Sequence, residues 1–398
     1  MAMPLQQIRK LLSFLLLTFV LLLSSNDHVV VSLAVASSTT SHQVDHYPRF
    51  FIGGLGYCGY RLASRLRKEF PSCAIVGTVR SKSRQKDMKD KALQDFDGRV
   101  RVFDLDENYC GLASADDQEV GHDRDGLEDL MQATHIIQTI APIADFDRDP
   151  LLALHTSILE DSDCLQWVGY LSSTGVYGDY SGEWVDENSE LRCQDAKSLA
   201  RVQAEEEWKE IGETRHSRDN GSNTKIDCFR CGGIYGPGRG PLFSAGAPLS
   251  SFPPPSSDPP TNSEETPKYV NRILVDDICG AIVAAVKANM DNSKSSASRG
   301  NVYNLVDDDP APRRDVVEEA RKLLLSNDNA SEEEINTSSD SSVDEPAAPR
   351  RSRRRPSTRF TGNKRCRNEL LKNDYPEWNQ IAPTYREGLA YLWKQQKQ

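Results

Sequence analysis

The sequence has 398 residues, a net charge of -11 and nine cysteines. This length allows one large α/β core or two smaller ones. The negative net charge argues against a general binder of polyanions, and the scattered, odd-numbered cysteines argue against a disulfide framework. Cys228 and Cys231 form a C-x-x-C, but they lie in a predicted strand, where positions three apart face opposite sides of the sheet. Because no second pair completes a metal site, we expect core cysteines and no metal.

The N-terminal segment has the pattern of a secretory signal. Arg9 and Lys10 precede the apolar run Leu11–Leu23, which is too short for a comfortable membrane span. Cleavage fits either Ala34-Val35-Ala36 or Ser24-Ser25, and a retained signal anchor is the alternative. We expect entry into the endomembrane system and no membrane span in the mature chain. The unpaired cysteines fit an oxidising lumen poorly, so the final compartment is either an organelle with a bipartite, plastid-like address or the secretory lumen.

A predicted strand, a glycine-rich turn and a predicted helix come next, which is the context of a dinucleotide-binding fingerprint. The turn follows Arg49–Ile52 and precedes Tyr60–Phe70. In such a turn, one glycine makes the tight bend, one lets the backbone approach a pyrophosphate, and one lets the helix pack on its strand. The pyrophosphate then lies at the helix N-terminus, where free N–H groups and the macrodipole favour an anion. We assign five residues of this turn to cofactor binding: Gly53, Gly54, Leu55, Gly56 and Gly59.

The end of the second predicted strand, Cys73–Arg80, indicates which dinucleotide binds. An NAD site places a carboxylate there for the ribose 2′-hydroxyl, whereas this chain has Arg80, Ser81 and Lys82. A guanidinium with a nearby hydroxyl and ammonium suits a 2′-phosphate. We therefore predict NADP rather than NAD as the cofactor, with Arg80 and Ser81 at the phosphate; an ordinary basic loop in solvent is the alternative.

The remaining alternation of strands and helices predicts a parallel sheet with right-handed crossovers. Further strands are predicted at residues 99–104, 134–140, 165–171, 225–233, 269–275 and 301–306. Helices are predicted at residues 151–159, 195–211, 276–290 and 313–325 and near the C-terminus. Asp104 ends the third strand, where side chains often meet an adenine ring, so it joins the predicted cofactor site.

Composition divides the chain into seven segments. They are a targeting segment (1–36), a linker (37–48), the nucleotide-binding domain (49–240), a Pro/Ser-rich insert (241–266), the completion of the sheet with the substrate domain (267–325), a low-complexity acidic then basic insert (326–367) and a C-terminal helical part (368–398). We therefore expect an α/β fold: a Rossmann-type, doubly wound parallel sheet with a smaller C-terminal substrate-binding domain that interleaves with it.

Four motifs in this order resemble the extended short-chain dehydrogenase/reductases, the NAD(P)-dependent epimerase/dehydratase family, and most of all its atypical members. The motifs are Gly53-x-x-Gly56-x-x-Gly59, Ser172–Gly178, Arg230–Arg239 and Arg272–Ile278. The match runs from about Arg49 to Leu392 apart from the inserts. The resemblance implies an NADP-dependent oxidoreductase or epimerase that acts on a small or nucleotide-linked carbonyl or alcohol substrate. A homodimer is left open.

The catalytic motif of the family, Y-x-x-x-K with an upstream Ser or Thr, is altered in this chain. Ser173 matches the upstream residue. Glu205 resembles the glutamate four residues beyond the family lysine, which places Arg201 at the lysine and Lys197 at the tyrosine. Arg201 keeps a positive charge, but Lys197 is a poor substitute for a phenol unless burial and Arg201 depress its pKa.

Tyr177 is the remaining phenol near the end of the strand that carries Ser173. It is a pocket or core tyrosine on one interpretation and a displaced acid/base on the other, and we expect Ser173, Tyr177 and Arg201 to meet beside the nicotinamide. Thr174 and Gly175 stand where dehydratases of the family carry Asp-Glu, so dehydration is disfavoured.

Arg239 lies where family members bind the phosphates of a sugar nucleotide, with a structural ion pair as the alternative. The rival hypothesis for the whole chain is a non-catalytic NADP-binding module. In that case the basic segment 350–367 contacts RNA, a membrane or a protein.

Overall fold

The computed structural model describes residues 47–105, 111–112, 126–143, 148–218, 224–244, 267–291, 300–331 and 362–397. They belong to one compact unit that begins at Tyr47. The predicted targeting segment, nearly all of the linker, and most of both inserts lie outside the described residues.

Strands and helices alternate along the described chain. The strands are β1 (Arg49–Gly53), β2 (Ala74–Val79), β3 (Arg99–Asp104), β4 (Gly111–Leu112), β5 (His135–Gln138), β6 (Trp167–Ser173), β7 (Trp184–Val185), β8 (Lys225–Cys231), β9 (Gly233–Tyr235), β10 (Tyr269–Val270), β11 (Arg272–Leu274), β12 (Val302–Leu305), β13 (Ala311–Pro312) and β14 (Arg365–Cys366). The helices are α1 (Tyr57–Glu69), α2 (Lys82–Phe96), α3 (Gly126–Met131), α4 (Pro150–Asp161), α5 (Ala196–Arg218), α6 (Pro241–Ser244), α7 (Val275–Met290), α8 (Arg313–Ser331), α9 (Glu369–Asp374) and α10 (Tyr385–Gln396). A 3₁₀ turn spans Thr174–Tyr177.

The central sheet has the strand order β12-β8-β6-β5-β1-β2-β3-β4. Its strands are parallel except for the short edge strand β4, which runs antiparallel to β3. The predicted doubly wound parallel sheet is therefore confirmed, and its first five predicted strands lie side by side. The strand order reverses between β1 and β5, and ligands of such sheets bind in the crevice outside the carboxyl ends of the strands at this point.

Helices cover both faces of the sheet because its central strands are apolar on both sides. In β1, Phe50 and Ile52 face a core that includes Leu62 and Leu66 of α1, together with residues of α2 and α7. Phe51 faces the opposite core, which contains residues of α3, α4 and α5. The alternation along β1 thus fixes α1 on one face of the sheet, with its N-terminus at the carboxyl edge.

A smaller apolar core lies in the C-terminal part of the unit. It joins β9, β11, α6, α8 and α10 through side chains that include Tyr235, Leu274, Val316, Ala320 and Leu389. These residues are distant in sequence, so this part interleaves in sequence with the part that carries the central sheet.

Ordered structure extends into both ends of the predicted 326–367 insert. Helix α8 continues to Ser331, and β14 pairs in parallel with β7. Beside β14, the buried Lys364 Nζ donates a hydrogen bond to the Gly178 carbonyl at 3.0 Å. The last basic residues of the insert therefore belong to the folded unit, because Lys364 finds a buried acceptor far away in sequence.

Cys228 and Cys231 are buried free thiols in β8 and lie in the cores on opposite faces of the sheet, as expected. In the described part of the chain, no three His, Cys, Asp or Glu side chains cluster in a way that could hold a metal ion. Nor does any helix there combine the length and apolar character that crossing a bilayer requires.

Candidate functional site

Three glycines of the turn between β1 and α1 have different structural roles. Gly54 has φ +93°, in the left-handed region that glycine tolerates. A Cβ at Gly59 would lie 2.0 Å from the Gly54 carbonyl oxygen, so only glycine lets α1 pack this close to the turn. A Cβ at Gly56 would meet nothing within 4 Å. The open space at Gly56 is where a ligand can approach the backbone.

Neighbouring strands hold this turn in place. The Gly54 N–H donates to Thr78 Oγ1 at 2.8 Å, and the Leu55 N–H donates to the Thr78 carbonyl at 2.7 Å. From the other side, Thr139 Oγ1 lies 2.9 Å from the carbonyl oxygens of both Gly53 and Gly54. The sequence did not single out these two threonines, although each lies at or near the carboxyl end of a predicted strand.

A cleft of about 420 Å³ opens beside this turn, and we call it the glycine-turn cleft. It lies at the carboxyl ends of β1, β2, β3 and β5, at the point where the strand order reverses. Its lining is Gly54, Leu55, Gly56, Thr78, Val79, Arg80, Arg84, Phe103, Leu105, Thr139, Ile140, Ala141 and Ile143. Within the described residues, this lining has two arginines and no carboxylate.

Arg80 and Arg84 give the glycine-turn cleft its positive charge. Arg80 follows β2, and Arg84 lies on the first turn of α2. Ser81 is the N-cap of α2, and its Oγ accepts a hydrogen bond from the Arg84 N–H at 3.5 Å. The structure therefore places Ser81 as a cap beside the cleft and adds Arg84, which the sequence analysis missed. The sequence did contain an indication of Arg84. Ser81 is a residue type that caps helices, and a helix that starts there places Arg84, four residues after Arg80, on its first turn.

Asp104 ends β3 and is buried, but the cleft is lined by its neighbours Phe103 and Leu105. Side chains alternate along a strand, so the two neighbours point to one side and Asp104 to the other. Phe103 and Leu105, and not Asp104, therefore line the glycine-turn cleft at this strand end.

Tyr177 is fully buried, whereas Ser173 is partly exposed. The 3₁₀ turn carries the Tyr177 side chain into a small core with Val176 and Val185, where it is fully buried. Its hydroxyl donates to Asn304 Oδ1 at 2.8 Å and accepts from Arg230 Nη1 at 2.9 Å. Burial raises the pKa of the phenol above its ordinary value, which opposes proton transfer near neutral pH. This burial favours the interpretation of Tyr177 as a core tyrosine over that of a displaced acid/base beside Ser173 and Arg201.

Arg230 links Tyr177 to a buried ion pair. Its Nη2 donates to Glu205 Oε2 at 2.7 Å, and Ser172 Oγ donates to Glu205 Oε1 at 2.5 Å. Both charged side chains are almost inaccessible. A buried pair of this kind fixes the relative positions of β6, β8 and α5, because leaving either partner alone would cost several kcal/mol.

Ser173 and Arg201 do come together at the carboxyl end of β6. Ser173 is partly exposed, and its Oγ accepts from the Gly175 N–H at 3.1 Å. Arg201 is partly exposed on α5, and its Nη1 donates to the Leu171 carbonyl at 3.4 Å. Lys197 lies one turn earlier on α5 and is exposed. These three side chains are thus the polar groups that the predicted catalytic set brings to this edge.

Arg239 belongs to a tight turn that contacts the start of α1. The backbone groups of Gly236 and Arg239 bond to each other, and the exposed Arg239 guanidinium lies 5.1 Å from the centre of the Tyr57 ring. Tyr57 is the first residue of α1. The structure thus places Arg239 beside the glycine turn.

A second cleft, which we call the C-terminal cleft, lies between β9, β11 and α8 and has a volume of about 270 Å³. Its walls are mainly apolar, and two arginines, Arg272 and Arg313, line it. Arg272 is buried and donates from Nη1 to the carbonyls of Val270 and Ala311 at 2.8 and 2.9 Å. Burial lowers the pKa of Arg272 from its ordinary value.

Asp149 is the N-cap of α4. Its Oδ1 accepts from the N–H groups of Leu151 and Leu152 at 2.9 and 3.2 Å, and Gln138 Nε2 donates to both carboxylate oxygens. Burial raises the pKa of Asp149 to about 6. Because Gln138 ends β5 beneath Gly53, the cap ties α4 to the base of the glycine turn.

No protein-family model and no curated protein matches this sequence. Among solved structures, a functionally unknown conserved protein from Silicibacter pomeroyi is 26% identical, with 87% of this chain and 98% of that chain covered and a TM-score of 0.56. A putative NAD-dependent epimerase/dehydratase from Methylobacillus flagellatus is 19% identical, with 88% and 100% covered and a TM-score of 0.54.

A UDP-glucuronic acid 4-epimerase from Bacillus cereus, in complex with NAD, is 13% identical, with 87% and 95% covered and a TM-score of 0.54. These similarities extend over almost the whole length of each neighbour. This chain therefore has the fold of these epimerase and dehydratase structures.

Proposed function

We propose that this protein is an NADP-dependent oxidoreductase or epimerase that acts on a small or nucleotide-linked carbonyl or alcohol substrate. The observation that carries the proposal is the glycine-turn cleft, which combines an open approach to the backbone at Gly56 with Arg80 and Arg84. Solved neighbours with this fold include epimerases in complex with NAD.

The cleft suits a dinucleotide in both size and chemistry. Its volume lies in the range of ordinary ligand sites, and its floor combines apolar side chains with a few polar groups. Gly56 is the N-cap of α1 and has no side-chain cap, so the first N–H groups of the helix are available to an anion. Arg80 and Arg84 would hold a 2′-phosphate, for which a carboxylate would be repulsive. When bound, the nicotinamide supplies or accepts a hydride.

The C-terminal cleft supports an anionic or nucleotide-linked substrate. Arg272 and Arg313 lie among apolar walls, an arrangement that favours a phosphate or carboxylate joined to a less polar group. Thr174 and Gly175 stand where elimination would need a pair of carboxylates, so redox or epimerase chemistry is favoured over dehydration.

With Tyr177 buried, Lys197 is the side chain of the predicted catalytic set that is left for proton transfer, and we assign that role to it although it lacks the burial that the sequence analysis required. It is exposed at the carboxyl edge, and Arg201 lies one helical turn away on the same face of α5. In this assignment Ser173 Oγ hydrogen-bonds the substrate oxygen, and Lys197 Nζ gives or takes its proton.

One observation favours the rival hypothesis of a non-catalytic NADP-binding module. The altered Y-x-x-x-K motif has no phenol, and the nearest one, Tyr177, is committed to Arg230 and Asn304. A module of this kind would keep cofactor affinity without turnover.

Oxidation of NADPH across a panel of carbonyl compounds and sugar nucleotides separates the two hypotheses. We expect slow turnover in the wild type, lost in Lys197→Met with unchanged NADPH affinity. Lys209→Met, an exposed lysine farther along α5, is the matched control and should keep full activity. Tight NADPH binding without turnover in the wild type would establish the rival, and no dinucleotide binding would refute both.

A further inference from the structure

We propose that Arg239 binds the diphosphate of the dinucleotide, with the Tyr57 ring holding its guanidinium in place. The motif resemblance assigned this arginine to the phosphates of a substrate instead. The inference rests on the proposed function, because it needs a dinucleotide in the glycine-turn cleft.

The turn that carries Arg239 is closed and anchored to α1. The Gly236 N–H donates to the Arg239 carbonyl and the Arg239 N–H donates to the Gly236 carbonyl, both at 3.0 Å. Between them, the Pro237 carbonyl accepts from the Tyr57 hydroxyl at 3.2 Å and from Arg61 Nη2 at 3.1 Å. The position of Arg239 is thus set by the first turn of α1, although the two lie far apart in sequence.

Two guanidinium groups contact the Tyr57 ring, and they differ in what else they touch. The Cζ atom of Arg61 lies 4.2 Å from the ring centre, and its Nη1 and Nη2 donate to backbone carbonyls. The Cζ atom of Arg239 lies 5.1 Å from the ring centre. Among the hydrogen bonds, ion pairs and ring contacts of the described residues, this stacking is the one that the Arg239 side chain makes. An exposed arginine held by stacking alone keeps its donors for a ligand, and the flat guanidinium matches phosphate oxygens.

The charge of Arg239 acts at the N-terminus of α1. Burial raises the pKa of the Cys58 thiol in the first turn, and the positive charges of Arg239 and Arg61 partly offset that rise. The Tyr57 phenol shows the same opposition between burial and these two charges. An anion in the open space at Gly56 would therefore meet uncapped helix N–H groups, the positive end of the helix dipole and Arg239. Because the pyrophosphate occupies this position in dinucleotide sites of this fold, Arg239 serves the cofactor.

Calorimetric titration with two probes tests the assignment. NADPH carries the diphosphate, whereas adenosine 2′-monophosphate keeps the 2′-phosphate and lacks the diphosphate. Arg239→Gln should weaken NADPH binding by about tenfold or more, since it removes charged hydrogen bonds, and should leave adenosine 2′-monophosphate unchanged. Arg80→Ala should weaken both probes. Arg314→Gln, an exposed arginine on α8, is the control and should weaken neither.

A further pair of variants tests whether the Tyr57 ring holds the Arg239 guanidinium in place. Tyr57→Leu should weaken NADPH binding, and adding it to Arg239→Gln should cause little further loss of NADPH affinity, because the ring acts through Arg239.

Unchanged NADPH affinity in Arg239→Gln would overturn the inference. If that variant also showed a raised KM for the carbonyl substrate, Arg239 would be assigned to the substrate instead. If the wild type binds both adenosine 2′-monophosphate and NADPH, the proposed cofactor site is supported, whatever the result for Arg239→Gln. If it binds neither, the cofactor site and the inference fall together.

Discussion

Tyr177 takes both of its hydrogen-bond partners from distant strands. Arg230 is 53 residues away on β8, and Asn304 is 127 residues away on β12. These contacts make the phenol a buried link between strands. Its hydroxyl satisfies two polar groups that would otherwise be left without a partner in the core, so its contribution is to stability.

We therefore predict that Tyr177→Phe destabilises the fold by about 1–3 kcal/mol, because Arg230 and Asn304 each lose a buried partner. NADPH affinity should be unchanged, and any turnover of the wild type should persist. Denaturant unfolding and NADPH titration measure the two effects. Tyr180→Phe is the control, since the Tyr180 hydroxyl makes its bond to the Glu190 carbonyl in an exposed position. Loss of turnover without loss of stability would show that Tyr177 is catalytic after all.

The residues that sequence analysis missed share a physical cause. A single sequence indicates which residues end a strand or enter a turn, and it predicts the observed positions of Gly54 and Gly56 in the turn, of Gly59 at the start of the helix and of Arg80 after the strand. It does not indicate where a side chain points after the chain bends. Tyr177 was placed at the sheet edge because it follows Ser173, whereas the 3₁₀ turn carries it into the core.

At the scale of elements, the turn between β1 and α1 offers a matched pair of substitutions. Gly59→Ala places a methyl group 2.0 Å from the Gly54 carbonyl, so it should push α1 off the turn and lower both stability and NADPH affinity. Gly56→Ala meets no protein atom within 4 Å and has φ -83°, which alanine adopts easily.

Gly56→Ala should therefore keep stability within about 1 kcal/mol of the wild type, the usual cost at an N-cap, while it blocks the approach of the pyrophosphate. Thermal unfolding without cofactor and NADPH titration separate the two variants. Normal NADPH affinity in Gly56→Ala would show that the ligand does not approach the backbone there.

The cap of α4 predicts a pH dependence of stability. The pKa of Asp149 is raised by burial from its ordinary value of 3.8 to about 6 in the folded chain. Between these values the folded state holds the proton and the unfolded state does not. Stability from this group is thus fully present below the lower value and is lost as the pH rises through the upper one.

Asp149→Asn cannot titrate, so the wild type should lose on the order of 1–3 kcal/mol more than this variant between about pH 4 and pH 7. Asparagine keeps the N-cap, which makes the comparison a matched one. Asp277 has a similarly raised pKa and titrates in both proteins, so its effect cancels in the difference. Parallel stability curves for the two proteins would contradict the raised pKa of Asp149.

At the scale of the whole molecule, local signals predict the sheet because its strands are short apolar runs between helices and turns. The C-terminal part is harder to predict, since its core combines Tyr235, Leu274, Val316 and Leu389, which no local pattern connects. The C-terminal cleft is equally hard to predict from local patterns. So is the position of Arg239, which depends on Tyr57 of the first helix.

Comparative titration of NADPH and NADH, with the wild type, Arg80→Ala, Arg84→Ala and the control Arg314→Ala, measures whether the glycine-turn cleft selects a dinucleotide by its 2′-phosphate. We predict that the wild type binds NADPH more tightly by on the order of 1–3 kcal/mol, the value of charge-assisted contacts to the 2′-phosphate. Each cleft substitution should narrow this difference mainly by weakening NADPH, and the control should preserve it. Equal affinities in the wild type, or tighter binding of NADH, would contradict the account.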